Sequence, residues 1–133
     1  DAGSDKISKS IRNHRENKDL ENVYFLKNIS PEDFIKLMVN AKCLIGNSSA
    51  GIRECSYIGT PVVNIGNRQL GREKGLNVID SGYDYSTILK STAKQMSNDR
   101  YPQNNLYGDG SAGIKISKLL EEQSPSIYKK LSY

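Results

Sequence analysis

The sequence predicts an open α/β domain: a parallel sheet covered by helices on both faces. Short apolar runs alternate with single stretches of helical periodicity instead of pairing through hairpins, which implies βαβ units. The length of 133 residues is one domain's worth of chain. From Ser4 to about Asn17, Ile7, Ile11 and His14 or Arg15 recur at helical spacing behind Ser4 or Asp5 as a cap, which predicts a one-faced surface helix. Asn22–Lys27 is a β-branched and aromatic run, predicted to be a strand. Ser30 then stands at an N-cap with Pro31 at the first helical position, and Phe34, Leu37, Met38 and Ala41 share one face of the helix that follows.

Cys43–Gly46 reads as a buried strand, and Gly51–Tyr57 as a helix burying Ile52, Cys55 and Ile58, with Gly59 at its C′ position. Pro61–Ile65 and Asn77–Asp80 are the remaining strands. Tyr85–Met96 and Ala112–Glu122 carry helical periodicity through Ile88, Leu89 and Met96 and through Ile116, Leu119 and Leu120. The segment Asn98–Gly110 between them is turn-rich. The domain is expected over residues 1–122, with a short polar tail over 123–133. A chain that opens on a helix where a strand is due is expected of an excised piece.

Composition narrows the function classes. The chain holds no run long and apolar enough to span a bilayer and opens without a signal peptide's apolar stretch, so a cytoplasmic protein without membrane association is expected. Nineteen basic against 15 acidic residues give +4, dispersed along the chain, which falls short of a nucleic-acid footprint but suits small anions. Cys43 and Cys55 have no CxxC pattern, and the chain has 1 His, so neither a zinc site nor a disulfide is expected. His14 has no carboxylate or cysteine neighbour and is assigned no role.

The most informative stretch is Ile45–Glu54 (IGNSSAGIRE), which runs from a strand's C-terminal end into a helix through small and hydroxyl-bearing residues. In parallel sheets ligands bind at that end. Small side chains let an anion approach first-turn N–H groups, and Ser48 and Ser49 add hydroxyl donors, which describes a phosphate site. It is not a Walker A loop, since no GK[ST] follows. The same spacing is equally served by serines that only cap the helix. The second candidate is Asn64–Asn77 (NIGNRQLGREKGLN), where Arg68 and Arg72 can fork onto phosphate oxygens and Gly66, Gly71 and Gly75 permit inward turns. Lys74 fits a solvated basic loop better than a ligand contact. Gly108–Gly113 (GDGSAG) matches GxGxxG by letter, but no strand precedes it and none follows, so a dinucleotide site is rejected. Glu54 and Glu73 lie in the two candidate segments, yet no carboxylate pair has acid–base spacing and the serines have no His base.

With these loops in view, CLIGNSSAGIRECSYIGTPVVNIGNRQLGREKGLNVID closely resembles the C-terminal domain of hydrolysing UDP-N-acetylglucosamine 2-epimerases of sialic-acid and related nonulosonate pathways. The similarity runs from DAGSDKI through SPEDFIKLMVNAKCLIGNSS to YGDGSAGIKISKLLEE, and the pair NSSxGIxE and NIGxRQxGRE is highly specific. Ala50 departs from the Ser, Cys or Gly usual there, and Leu76 from the Glu that commonly precedes NVI. The resemblance implies a Rossmann-like sheet forming the C-terminal half of a GT-B-like two-domain enzyme. It implies UDP binding by Ser48, Ser49, Gly51, Glu54 and Arg68, with the serines and Arg68 on the phosphates and Glu54 on the ribose hydroxyls. Asn47, Gln69 and Arg72 are further contacts.

The chemistry implied is loss of UDP across C1–C2 to a glycal and addition of water, releasing N-acetylmannosamine or a related 2-epimer. The catalytic carboxylates would lie in an N-terminal domain outside this sequence, so no catalytic residue is expected within it. No cofactor, metal or nicotinamide is implied. The expected partners are UDP, a UDP-amino sugar, the N-terminal domain of the same polypeptide and a second subunit in a homodimer. Two other readings share the same loops: the nucleotide domain of a GT-B glycosyltransferase, and a non-catalytic module that senses nucleotide sugars.

Overall fold

The computed structural model describes residues 4–16 and 22–123. The chain forms two compact units, Asp1–Pro31 and Glu32–Tyr133. In the first, helix α1 (Ser4–Arg15) covers most of the predicted span, with Asp5 in its first turn and His14 and Arg15 in its last. His14 donates from Nδ1 to the Ser10 carbonyl one turn back, a local bond that supports no chemistry. The strand expected over Asn22–Lys27 is absent: the segment forms no sheet ladder, and Val23, Tyr24 and Leu26 are exposed. The Arg15 guanidinium sits 5.7 Å from the Phe25 ring centroid. The miss has a physical cause. Strand propensity is realised only against cross-strand neighbours, and an apolar run without a ladder partner stays irregular.

The second unit carries the predicted parallel sheet. Helix α2 (Pro31–Asn40) opens on Pro31 with Glu32 and Asp33 in its first turn and buries Met38. Strand β1 (Leu44–Gly46) follows, then helices α3 (Ser49–Ile52) and α4 (Glu54–Ile58), strands β2 (Val62–Ile65) and β3 (Val78–Ser81), and helices α5 (Tyr85–Ser97) and α6 (Ala112–Glu122). The sheet order is β1-β2-β3, all parallel, with Leu44 opposite Val62 and Val62 opposite Val78. Helix α3 packs on β1 and β2, and α5 on β2 and β3. This mixed α/β arrangement with an open parallel sheet is consistent with a Rossmann-like fold. The sheet has three strands among the described residues. The tail expected over 123–133 lies outside the described residues except for Gln123.

One predicted helix is two. The span Gly51–Tyr57 breaks at Arg53 (φ −96°, ψ −71°) into α3 and α4. The first turn is tight, with the Gly51 N–H donating to the Ser48 carbonyl at 3.2 Å. It is also pressed onto the sheet: a Cβ on Gly51 would lie 2.9 Å from Cγ1 of Val62 and 3.3 Å from Cδ2 of Leu44. Gly51 therefore sets how closely α3 approaches β2. Beneath it Met38, Ala50, Cys55 and Val62 form the core, with Leu44, Ile58 and Val78 against them. Gly59 ends α4 in the left-handed conformation, as its C′ placement predicts.

A polar network closes the N-terminal end of the sheet. Gln95 on α5 is fully buried, and its Nε2 donates to the carbonyls of Val62 and Asn77, each at 2.8 Å. Its Oε1 accepts from Tyr101 Oη at 2.9 Å and Asn98 Nδ2 at 3.2 Å. Asn77 Nδ2 donates to the Thr60 carbonyl, Ser56 Oγ to Asn77 Oδ1, and Thr60 Oγ1 to the Met38 carbonyl. Buried polar groups persist when each finds a partner, and here they join α2, α4, β2, β3 and α5.

Both cysteines are free thiols. Burial pushes the Cys55 thiol up to about 12, with the charge of Glu54 adding to the rise, and burial raises Cys43 as well. Because the thiolate is the reactive form, Cys55 in the native protein is expected to react with iodoacetamide at pH 8 about a thousand-fold more slowly than in urea. Mass spectrometry of time-quenched samples checks this; equal rates would mean that the core around Met38 is open. The sign for stability follows. The unfolded thiol ionises near 9.0 while the folded one stays protonated, so this contribution holds below that pH and is lost as pH rises toward about 12.

Candidate functional site

The C-terminal ends of the strands carry the site. Beyond Gly46 the chain turns through Asn47 and Ser48 into α3, and Ser48 is the N-cap, its Oγ accepting from the Ala50 N–H at 3.3 Å. The capping role is thus real for Ser48, but a hydroxyl that accepts one bond keeps its own proton to donate. The first-turn N–H groups of Ala50 and Gly51 are engaged, by Ser48 Oγ and the Ser48 carbonyl. Helix α3 is only 4 residues long and has little macrodipole. The turn therefore offers serine hydroxyls more than the free first-turn N–H groups expected from the sequence.

The loop after β2 is anchored at Asn67, Gln69, Glu73 and Lys74. Tyr83 Oη donates to Asn67 Oδ1 at 3.2 Å. Gln69 is 3% exposed, and its Nε2 donates to the Asn47 carbonyl at 2.8 Å, tying this loop to the serine loop. Tyr107 Oη donates to the Glu73 carbonyl at 2.7 Å. Lys74 is not solvated, contrary to its sequence reading. Its side chain is 18% exposed, and Nζ donates to both Asp80 oxygens, at 2.9 and 2.7 Å. Asn64 Nδ2 adds a bond to the same carboxylate at 2.7 Å. Burial alone would raise the Asp80 carboxyl, but the hydrogen bonds from Lys74 and Asn64 and the Lys74 charge outweigh it and hold the group below the usual carboxylate range. The exposed cations of the loop are Arg68 and Arg72, on either side of the inward-facing Gln69 and Leu70–Gly71.

The serine loop and the Arg68 loop are therefore joined through Gln69 and Asn47, two residues read from sequence only as further contacts. Gly51 instead lies buried on the side of α3 that faces Val62 and Leu44 of the sheet. Glu54, exposed in the first turn of α4, faces a cavity of about 400 Å³ shared with Tyr57, Asn104, Tyr107 and the Gly108–Gly110 turn. The bracing role of Tyr107, Tyr83 and Asp80 was not legible in sequence. Their partners lie 34, 16 and 6 residues away. Among the described residues no group of three or more His, Cys, Asp or Glu is placed to hold a metal ion, and no helix is long and apolar enough to cross a membrane.

A family profile described as UDP-N-acetylglucosamine 2-epimerase matches residues 1–121. The chain belongs to this family. It is 32% identical over 121 residues to a protein of Legionella pneumophila named UDP-N,N'-diacetylbacillosamine 2-epimerase (hydrolyzing). That match covers 91% of this chain and 31% of the relative. It is 26% identical, with the same coverage, to a UDP-N-acetylglucosamine 2-epimerase of Neisseria meningitidis. A shorter stretch of 54 residues is 48% identical to a Campylobacter jejuni protein named GDP/UDP-N,N'-diacetylbacillosamine 2-epimerase (hydrolyzing), covering 41% of this chain and 14% of that one. The chain thus spans about a third of the length of the first two relatives.

Proposed function

We propose that this chain is the UDP-binding part of a hydrolysing 2-epimerase acting on a UDP-linked 2-acetamido sugar. The observation that carries the reading is the Gln69 Nε2 bond to the Asn47 carbonyl, which holds a hydroxyl-bearing loop and an arginine-bearing loop together at the ligand end of a parallel sheet. Ser48, Ser49 and Arg68 bind the diphosphate, with Asn47 and Arg72 at its edge, while Gln69 acts as a strut. Glu54 accepts from the ribose hydroxyls beside its cavity.

As the bond from sugar C1 to the β-phosphate oxygen breaks, negative charge builds on that oxygen. Serine O–H donors and an arginine fork already in place there stabilise it more than the substrate, which lowers the barrier. The proton at C2 leaves to a base supplied from outside this chain, giving a glycal, to which water adds to release the free 2-epimer. The relatives named for diacetylbacillosamine and for N-acetylglucosamine both support a 2-acetamido sugar as substrate.

The test is calorimetric titration of the complete protein with UDP and 2′-deoxy-UDP. Wild type is expected to prefer UDP by about ten-fold or more, since a hydrogen bond to a charged group is worth roughly 1.5–3 kcal/mol. Glu54→Gln is expected to lose that preference while keeping its melting temperature. Equal binding of the two nucleotides by wild type would overturn the role of Glu54, and no binding of either would overturn the reading.

A further inference from the structure

The GDGSAG stretch, dismissed as a dinucleotide motif, has a different use in the fold. Gly108 (φ +117°) and Gly110 (φ +86°) occupy conformations that side chains rarely adopt, and between them Asp109 folds back to accept from the N–H and hydroxyl of Ser111. Lys115 Nζ stands 3.7 Å from the other Asp109 oxygen, and α6 begins directly after Ser111. At the near side, the Gly108 N–H donates to the Asn105 carbonyl, and Asn104 Oδ1 caps the Leu106 N–H at 2.9 Å. The Asn104 N–H in turn donates to the Ser56 carbonyl on α4. The turn is thus closed on itself and fastened to the helix that carries Glu54.

What the turn presents is Tyr107. Its hydroxyl reaches 34 residues back to the carbonyl of Glu73, between Arg72 and Lys74, while the residue also lines the cavity beside Glu54. Gln69 and the Lys74–Asp80 pair fasten the arginine loop to the sheet's ligand end, and Tyr107 fastens it to the α4 side. We propose that Tyr107 is a positioning residue for nucleotide binding: it holds the 66–75 loop so that Arg68 meets the same diphosphate as the serine loop. This rests on the reading of the site given above. Tyr107 touches no phosphate; it acts through the Glu73 main chain.

The experiment is a double-mutant cycle in the complete protein, read as the Kd for UDP by calorimetry and as the melting temperature without ligand. Tyr107→Phe keeps the ring and removes the hydroxyl. It is expected to raise Kd about five-fold with the melting temperature unchanged. Combined with Arg68→Ala it is expected to add little to the loss from Arg68→Ala alone, because the guanidinium that Tyr107 places on the diphosphate is then gone. Gly110→Ala, which strains the turn, is expected to raise Kd by a similar factor and to add little to Tyr107→Phe. Tyr101→Phe, whose hydroxyl serves the Gln95 network, is expected to lower the melting temperature and leave Kd unchanged. An unchanged Kd in Tyr107→Phe, while Arg68→Ala weakens UDP, would overturn this inference alone. So would a Tyr107→Phe effect that persists in full beside Arg68→Ala, or one matched by a fall in melting temperature. Failure of wild type to bind UDP would overturn the reading of the site and this inference with it.

Discussion

Gln95→Met is expected to lower the unfolding free energy by about 2–4 kcal/mol, seen in urea as an earlier midpoint at unchanged slope. Methionine fills nearly the same volume, so the loss reports hydrogen bonds and not a cavity. The amide donates to the carbonyls of Val62 and Asn77 and accepts from Tyr101 and Asn98, all at a position with no solvent to replace it. A buried polar group left without a partner costs about 1–3 kcal/mol, and more than one is left here. Met96→Ala at the neighbouring, half-exposed position is expected to cost less than about 1 kcal/mol. A Gln95→Met protein as stable as wild type would mean that the network does not hold the sheet's N-terminal end.

Arg68→Ala is expected to weaken UDP binding about 10- to 100-fold, the effect of removing a charge-assisted bond to phosphate, and Arg68→Lys is expected to recover only part of it because an ammonium cannot fork. Lys74→Ala is expected to change UDP affinity far less. Its charge is spent on Asp80, so its loss shows chiefly as a looser loop and a lower melting temperature. Calorimetry on the three variants separates the two cations, and equal losses from Arg68→Ala and Lys74→Ala would mean that the loop acts as diffuse charge. The pH dependence has a definite sign. The Asp80 carboxyl is held below its ordinary value of 3.8, so the pair's contribution is present above that pH and is lost as pH falls through the lowered value. Between pH 5 and 8 the Asp80 carboxylate stays ionised, and a loss of UDP affinity in that range does not come from its protonation.

The sequence by itself determined the parallel α/β class, the helix and strand positions from Pro31 to Glu122 apart from one break, and the two strand-end loops that the fold joins through Gln69 and Asn47. Those features are local. Period, caps and small residues at a strand end act within a few residues of one another, as at Pro31 and Gly59, and the family resemblance rests on the same contiguous motifs. Only the tertiary structure decided three matters. Asn22–Lys27 has the composition of a strand but no ladder, because pairing depends on a neighbour and not on propensity. The helix after Ser48 breaks at Arg53, where Gly51 lets the first turn settle onto Val62 and Leu44. The partners of Gln69, Lys74, Tyr107 and Gln95 lie up to 34 residues away, so whether each polar side chain faces solvent or another segment followed from packing. Periodicity along the chain sets which face of an element is apolar, but a hydrogen bond between distant segments forms only where the fold brings a donor and an acceptor together out of water.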